Sequence, residues 1–373
     1  MPSSEARLNY RRQKLARQLA REARRLSLTQ TAIVAAVLLV LIFGGLSLKL
    51  SHLLDFPQPW ASALYFTILM AGTGIILMPI NYYQGFVLSH RYGLSHQKFR
   101  GWLADRAKAS ALSFLLGLAV VVLIYWLLVS LPNSWWLWSA TILFLLSLLL
   151  SRLTPTLLLS MFFKLEPLAD RKLKNRLMNL AKRARTKILG VFTINLSTKS
   201  TTANAMLAGW GRTRRIVLTD TLLQKYAADE IEVVLAHELG HHLHKDIPKL
   251  MAIQAAMIFL GLYLANLVLK ATVVPLGFQG PADAAGLPLL FLFVGALSVA
   301  VSPLTNAYSR LAETEADKAA LELSANPQAF ISAMTRLTNQ NLSVADPGRW
   351  VELLFYDHPS YTKRVNLARR YNS

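Results

Sequence analysis

The stretch VVLAHELGHHLHKD, residues 233–246, is where a strongly apolar chain turns polar, and its reading decides the kind of protein this is. It holds four of the chain's eight histidines within eight positions. Residues His237-Glu238-Leu239-Gly240-His241 have the form H-E-x-x-H. On a helix, positions i and i+4 share a face, so both imidazoles can reach one ion. Glu238, offset by one position, can reach a water at that ion without ligating the ion. Neutral imidazoles suit zinc, and a hydrolytic zinc keeps one position open for water and lowers its pKa. Glu238 then stands where it can take that water's proton during attack on a carbonyl. The competing reading is a group of histidines at a helix end near a membrane interface. His242 and His244 read as bystanders, with His244 the substitute if another ligand is needed.

The flanks support a helix. In ADEIEVVLAHELGHHLH, residues 228–244, Asp229 is expected to be the N-cap, and Ile231, Val234, Leu235 and Leu239 form an apolar stripe. Upstream, residues 168–188 read as a basic helix and GVFTINLS as a strand. NAMLAGWGRTRRIVLTD reads as two strands joined by a turn at Gly211-Arg212-Thr213. A catalytic zinc needs a third protein ligand, and SRLAETEADKAA, residues 309–320, offers one. Glu313 and Asp317 lie at i and i+4, and Glu315 faces elsewhere. Glu313 could ligate the metal while Asp317 hydrogen-bonds a ligating histidine. From spacing alone, an ordinary solvated acidic turn accounts for these residues as well.

The rest of the chain is membrane-like. Hydrophobic residues make up 54% and charged residues only 16%, against roughly a quarter charged in soluble domains. Six stretches are long and apolar enough to cross a bilayer, which takes about 20 residues: 31–53, 61–88, 109–130, 135–162, 250–270 and 287–307. The net charge of +20 is unevenly placed. The connections SHLLDFPQPW, SLPNSWW and ATVVPLGFQGPADAAG contain no Lys or Arg, whereas residues 1–30, 89–108 and 164–249 are rich in them. The positive-inside rule puts the basic side in the cytoplasm, and with it the active site; in a bacterium the membrane would be the cell membrane. Cations spread over membrane-flanking segments do not form a nucleic-acid surface. The lack of cysteine excludes disulfides, thiolate ligands and thiol catalysis.

The expected organisation has five parts. Residues 1–30 form a basic amphipathic tail, with Leu8, Leu15, Leu19 and Leu26 at helical spacing. Residues 31–163 carry four spans, and 164–249 form the cytosolic part of a zinc protease domain. Residues 250–307 supply two further spans, and 308–373 carry the third ligand. The fold class is mainly α: a polytopic helical membrane protein of about six spans with a small α+β zincin-like catalytic domain.

Five stretches carry a family resemblance: YYQGFVLSHRYGLSHQKFRGWLADRAKA, STKSTTANAMLAGWGRTRRIVLTDTLL, VVLAHELGHHLHKD, SRLAETEADKAA and DHPSYTKRV. Together they resemble the CAAX prenyl proteases of type I, membrane zinc endopeptidases, over most of the chain after the first span. The resemblance implies that Glu313 is the third ligand and Asp317 its helix partner. It implies that Asn204 flanks a peptide or protein substrate, lipidated or not, bound as an extended strand. His358 would stabilise the oxyanion, and Arg364 would order the carboxylates around the zinc. The alternatives are a quality-control zinc protease of the heat-shock type and a non-catalytic membrane scaffold or transporter. For the latter, Asn81, Tyr82, Tyr83 and Gln84 near the second span are the best argument.

Overall fold

The computed structural model describes residues 7–153, 159–209, 211 and 214–371. Helix α1 (Tyr10–Phe43) stops at Gly44-Gly45, and α2 (Leu46–Leu53) follows. Helix α3 (Trp60–Tyr82) runs through a π-turn (Tyr83–Val87) into α4 (Leu88–Arg91). Next come α5 (Phe99–Ser130), α6 (Trp135–Leu153) and the short α7 (Leu159–Phe162). The mixed segment contains β1 (Leu165–Pro167), α8 (Arg171–Arg183), β2 (Gly190–Ile194), β3 (Ala205–Ala208), β4 (Arg215–Thr219), α9 (Asp220–Lys225) and α10 (Ala228–Leu243). Two long helices, α11 (Asp246–Thr272) and α12 (Leu287–Ser324), precede α13 (Pro327–Gln340), α14 (Arg349–Phe355) and α15 (Tyr361–Tyr371).

Among the described residues six helices are long and apolar enough to cross a membrane, and they coincide with the six expected stretches. The first differs in extent. The expected span 31–53 breaks where Gly45 adopts φ +68°, a left-handed conformation that glycine takes without strain, so α2 departs from the line of α1. The spans pack together at the ends that face the Lys/Arg-free connections. Tyr65, Tyr125, Trp135, Leu269 and Leu287 are buried there. Several polar groups in that core are paired. Trp135 Nε1 donates to Asn266 Oδ1 at 2.9 Å. Ser47 Oγ lies 2.7 Å from Tyr65 Oη and donates to the Ala285 carbonyl at 2.7 Å. In hydrocarbon such bonds hold helices together because an unpaired polar group has no water to turn to.

The second core belongs to the catalytic unit. Leu177 and Leu180 of α8, Ile216 and Leu218 of β4, Leu235 and Leu239 of α10, and Phe330 of α13 are fully buried around one another. The four-stranded sheet has the order β1-β2-β4-β3. β1 and β3 are antiparallel to their neighbours, and β2 and β4 are parallel. β3 is therefore an edge strand. The β3–β4 pair is the expected two-stranded unit, although Arg212 and Thr213 of its turn lie outside the described residues. β1 has no counterpart in the sequence reading, because three residues are too few for alternation to register.

Two expectations are corrected by local chemistry. Asp229 is not the N-cap of α10. Ala227 is, and Glu230 Oε2 accepts the Ala227 N–H at 2.8 Å, while Asp229 pairs with Arg176. The basic N-terminal segment is no separate tail over its described residues. It is the first half of α1, continuous with the first span, and it is fastened to the catalytic unit. The buried Gln13 donates from Nε2 to the Ser343 carbonyl at 3.1 Å and accepts the Ala345 N–H at 2.9 Å.

Candidate active site

Helix α10 presents His237 and His241 from one face, their rings 4.8 Å apart and nearly perpendicular. The helix is held by its apolar stripe on the second core, and its opposite side lies against α12. The contact is close because residue 240 is glycine. A Cβ at that position would sit 2.9 Å from the Cα and the carbonyl oxygen of Ala316 and 3.0 Å from the Cβ of Ala319. This approach brings Glu313 and Asp317, buried on the same face of α12, to the two histidines.

Each ring is oriented by a carboxylate behind it. His237 Nδ1 donates to Asp317 Oδ1 at 2.9 Å, and His241 Nδ1 donates to Asp246 Oδ2 at 2.9 Å. With Nδ1 protonated, each Nε2 turns its lone pair inward. Both meet Glu313, His237 Nε2 at 3.3 Å from Oε2 and His241 Nε2 at 3.2 Å from Oε1. Arg364 of α15 grips Asp317 with two nitrogens, Nε to Oδ2 at 2.8 Å and Nη2 to Oδ1. A chain of bonds thus links α15, α12 and α10. One ligand atom from each of His237, His241 and Glu313 lies within 4.8 Å of the others. Glu313 Oε2 is buried without a hydrogen-bond partner among the described residues. A carboxylate whose two oxygens each face an imidazole nitrogen, one of them without a hydrogen-bond partner, is what a cation would satisfy, and the nitrogen–nitrogen–oxygen donor set fits zinc.

The remaining expected residues surround that point. Glu238 lies beside the Leu207 backbone of β3, and burial pushes its carboxyl above the usual range against the pull of the neighbouring histidines. His358 Nε2 is 3.2 Å from Glu313 Oε1, and its Nδ1 donates to Asp357 Oδ1 at 2.8 Å. Asp357, followed by Glu313, holds the His358 imidazolium up to about 10. Asn204 opens β3, its side-chain oxygen accepting the Ala205 N–H at 2.9 Å. Asn204, His237, Glu238, His358 and Arg364 line one groove of about 430 Å³. Glu315 is exposed and pairs with Lys318, away from the site. His242 and His244 are outside the triad.

Two carboxylates were missed from the sequence. Asp246 folds back onto His241 because Lys245 turns the chain with φ +54°. Asp357 is simply the residue before His358. For Asp246 the only signal was the polar HKD ending the stretch, and nothing there distinguishes a hydrogen-bond acceptor from a helix-starting acid.

A buried H-E-x-x-H helix, a distant glutamate and, among the described residues, six helices long and apolar enough to cross a membrane define an integral, multi-pass membrane metalloprotease. The chain belongs to peptidase family M48, whose family description matches residues 167–372, and residues 5–164 match the CAAX prenyl protease N-terminal region, described as five membrane helices. This chain has four candidate spans in that region among the described residues. It is 30% identical over 340 residues to the uncharacterized metalloprotease YhfN of Bacillus subtilis, covering 89% of this chain and 79% of that protein. It is 29% identical over 297 residues to the CAAX prenyl protease 1 homolog of Oryza sativa, covering 78% and 68%. Against CAAX prenyl protease 1 of Saccharomyces cerevisiae it is 26% identical over 322 residues, covering 82% and 71%. The crystal structure of S. mikatae Ste24p superposes with a TM-score of 0.81 at 23% identity, over 97% of this chain and 89% of that one, and so shares the fold. The protein is a zinc-dependent hydrolase, and the scaffold and transporter alternatives are set aside.

Two substitutions test the geometry. Gly240→Ala should force α10 and α12 apart, with a loss of about 1–3 kcal/mol in stability. It should also lower the zinc content, read by thermal melting and metal analysis; an unchanged melt would show the contact to be slack. Glu313→Ala should lose most bound zinc, whereas Glu315→Ala should keep it. Equal retention in the two purified variants would place the third ligand elsewhere.

Proposed function

We propose that this protein hydrolyses internal peptide bonds at a zinc centre held by His237, His241 and Glu313, with Glu238 as the general base. The observation that carries the reading is the pair of locked imidazoles: Asp317 and Asp246 fix both Nδ1–H groups, so both Nε2 atoms converge on Glu313 beside Glu238. When bound there, zinc supplies a Lewis acid that acidifies water and polarises the substrate carbonyl. Glu238 takes the proton of the attacking water and returns it to the leaving amine, a shuttle suited to a carboxyl raised by burial. His358, kept cationic by Asp357, donates to the carbonyl oxygen as it gains charge. Arg364 holds Asp317, and through it the His237 ring.

The substrate lies as an extended chain against the open edge of β3, beginning at Asn204. The antiparallel pairing supports this, because Asn204, Met206 and Ala208 bond toward β4 while Ala205 and Leu207 face away from it. Residues 164–249 and 308–373 act as one protease domain divided in sequence by two spans. Relatives named CAAX prenyl proteases bring lipid-modified C-terminal peptides into the substrate class, beside unmodified ones. The active site faces the cytoplasm, on the side where the Lys- and Arg-rich segments collect.

Glu238→Gln should lower peptide cleavage roughly 10²–10⁴-fold while zinc content and melting temperature stay near wild type. Cleavage close to the wild-type rate would remove Glu238 from the mechanism. Sidedness is testable because the chain has no cysteine. In intact cells a membrane-impermeant thiol reagent should label Asn133→Cys and Gln279→Cys, both at exposed positions, and should reach the exposed Lys187→Cys only after lysis. The reverse pattern would invert the topology.

A further inference from the structure

The outward-facing edge of β3 is not open along its whole length. At one end Leu207 lies beside the Glu238 carboxyl. In the middle the Ala205 N–H is taken by the Asn204 side chain. At the far end both backbone groups of Ala203 are occupied by a single side chain. The Ala203 N–H donates to Asn341 Oδ1 at 2.9 Å, and Asn341 Nδ2 donates to the Ala203 carbonyl at 3.1 Å. This is the pair of bonds that a residue on a neighbouring antiparallel strand would make. The Asn341 carboxamide therefore sits where a pairing peptide would otherwise continue, and it lines the same groove as Glu238 and His358.

Asn341 is held there from several directions. It ends α13, its own N–H bonded to the Leu337 carbonyl at 2.9 Å. The next residue, Leu342, has φ +51°, so the chain turns sharply and leaves the side chain aimed at the strand. Gln340 donates to the Thr201 carbonyl at 2.6 Å, adding a second amide on the chain leading into β3. Asn339 accepts the Asn9 N–H at 3.0 Å and donates to the Arg7 carbonyl at 2.9 Å. Gln13 of α1 clamps Ser343 and Ala345 just beyond. Three consecutive amide residues thus tie the start of α1 to the substrate-facing strand.

We infer that the Asn341 carboxamide is a stop on the β3 edge, setting how much of a substrate chain can pair there and in which register. The inference rests on reading that edge as the substrate strand. From Ala203, at the stop, to Leu207, beside the base, the edge runs four residue steps, roughly 13 Å at about 3.3 Å per residue. On that side of the scissile bond about four substrate residues can pair, and further ones gain no backbone bonds. Because strand geometry repeats every two residues, loss of the stop should admit a pairing displaced by two.

The probe is the shortest casein-derived peptide that the wild-type enzyme cleaves at one position, with lengthened, shortened and backbone N-methylated versions. For the wild type, kcat/KM should rise with length on one side for about four residues and then level off. Asn341→Ala should move that plateau outward and add a second cleavage position two residues away, read by mass spectrometry, at unchanged zinc content. An Asn341→Ala enzyme with the same plateau and the same single product would overturn the stop, whatever its rate. N-methylation inside the paired stretch should lower wild-type kcat/KM about tenfold, the scale of one lost hydrogen bond. If no N-methyl position matters, the strand reading itself fails; if one matters but Asn341→Ala changes neither plateau nor position, only the stop fails. Should Asn341→Ala not accumulate as folded protein, Gln13→Ala gives the same readout. It keeps the carboxamide but releases the loop beyond it, and an unchanged plateau and position in that variant would likewise overturn the proposal.

Discussion

The backbone contact between α10 and α12 at Gly240 and Ala316 is the constraint on which the catalytic arrangement depends. Two helices carrying ordinary side chains at the crossing lie about 8–10 Å apart. Here a missing Cβ on one side and a run of alanines on the other let the backbones touch, and Ala316, Ala319 and Ala320 are buried at the seam. Glu313 and Asp317 are within a turn of that contact, so its depth sets their distance from the histidines. Both hydrogen bonds that orient the rings, to Asp317 and Asp246, bring in residues from helices other than α10. α10 provides the two histidines of the candidate metal site, and the neighbouring helices aim them and add Glu313.

The two larger cores among the described residues lie in the membrane part and the catalytic unit, and the long helices α1 and α12 run between these parts. The membrane core is a set of span ends with paired polar groups. The catalytic core is a conventional packing of helices on a short sheet. α12 begins in the first and delivers Glu313 in the second. α1 runs the opposite way, from Gln13 at the protease loop to Leu38 in the span bundle.

Much of this was legible in the sequence, for identifiable reasons. Spans are legible because hydrocarbon demands long uninterrupted apolar runs, and little else produces them. His237 and His241 are legible because helical periodicity alone puts both on one face, with Glu238 one position along. Glu313 was ambiguous from spacing, since a solvated acidic turn and a ligand with its helix partner look alike at i and i+4; burial is what separates them, and burial is tertiary. Asp246, Asp357 and Asn341 act through turns, and a left-handed residue such as Lys245 or Leu342 leaves no mark in a pattern of apolar positions. The N-cap of α10 was misassigned because Asp229 has a better capping side chain than Ala227. A glutamate reaching back from the third helical position filled the role instead. The basic N-terminal helix was read as a surface element because its partners, Asn339 to Ala345, lie at the other end of the chain.

The division of the proposed metal ligands between α10 and α12 also orders events in the life of the chain. His237 and His241 leave the ribosome well before Glu313, and two membrane-crossing helices separate them. A nascent protease has a half-built centre while its own unfolded segments are still close by. Glu313 reaches the histidines only when α11 and α12 have both entered the bilayer and packed. On the proposed ligand set, hydrolytic competence is tied to completed membrane integration, because a chain that ends before its last span lacks Glu313.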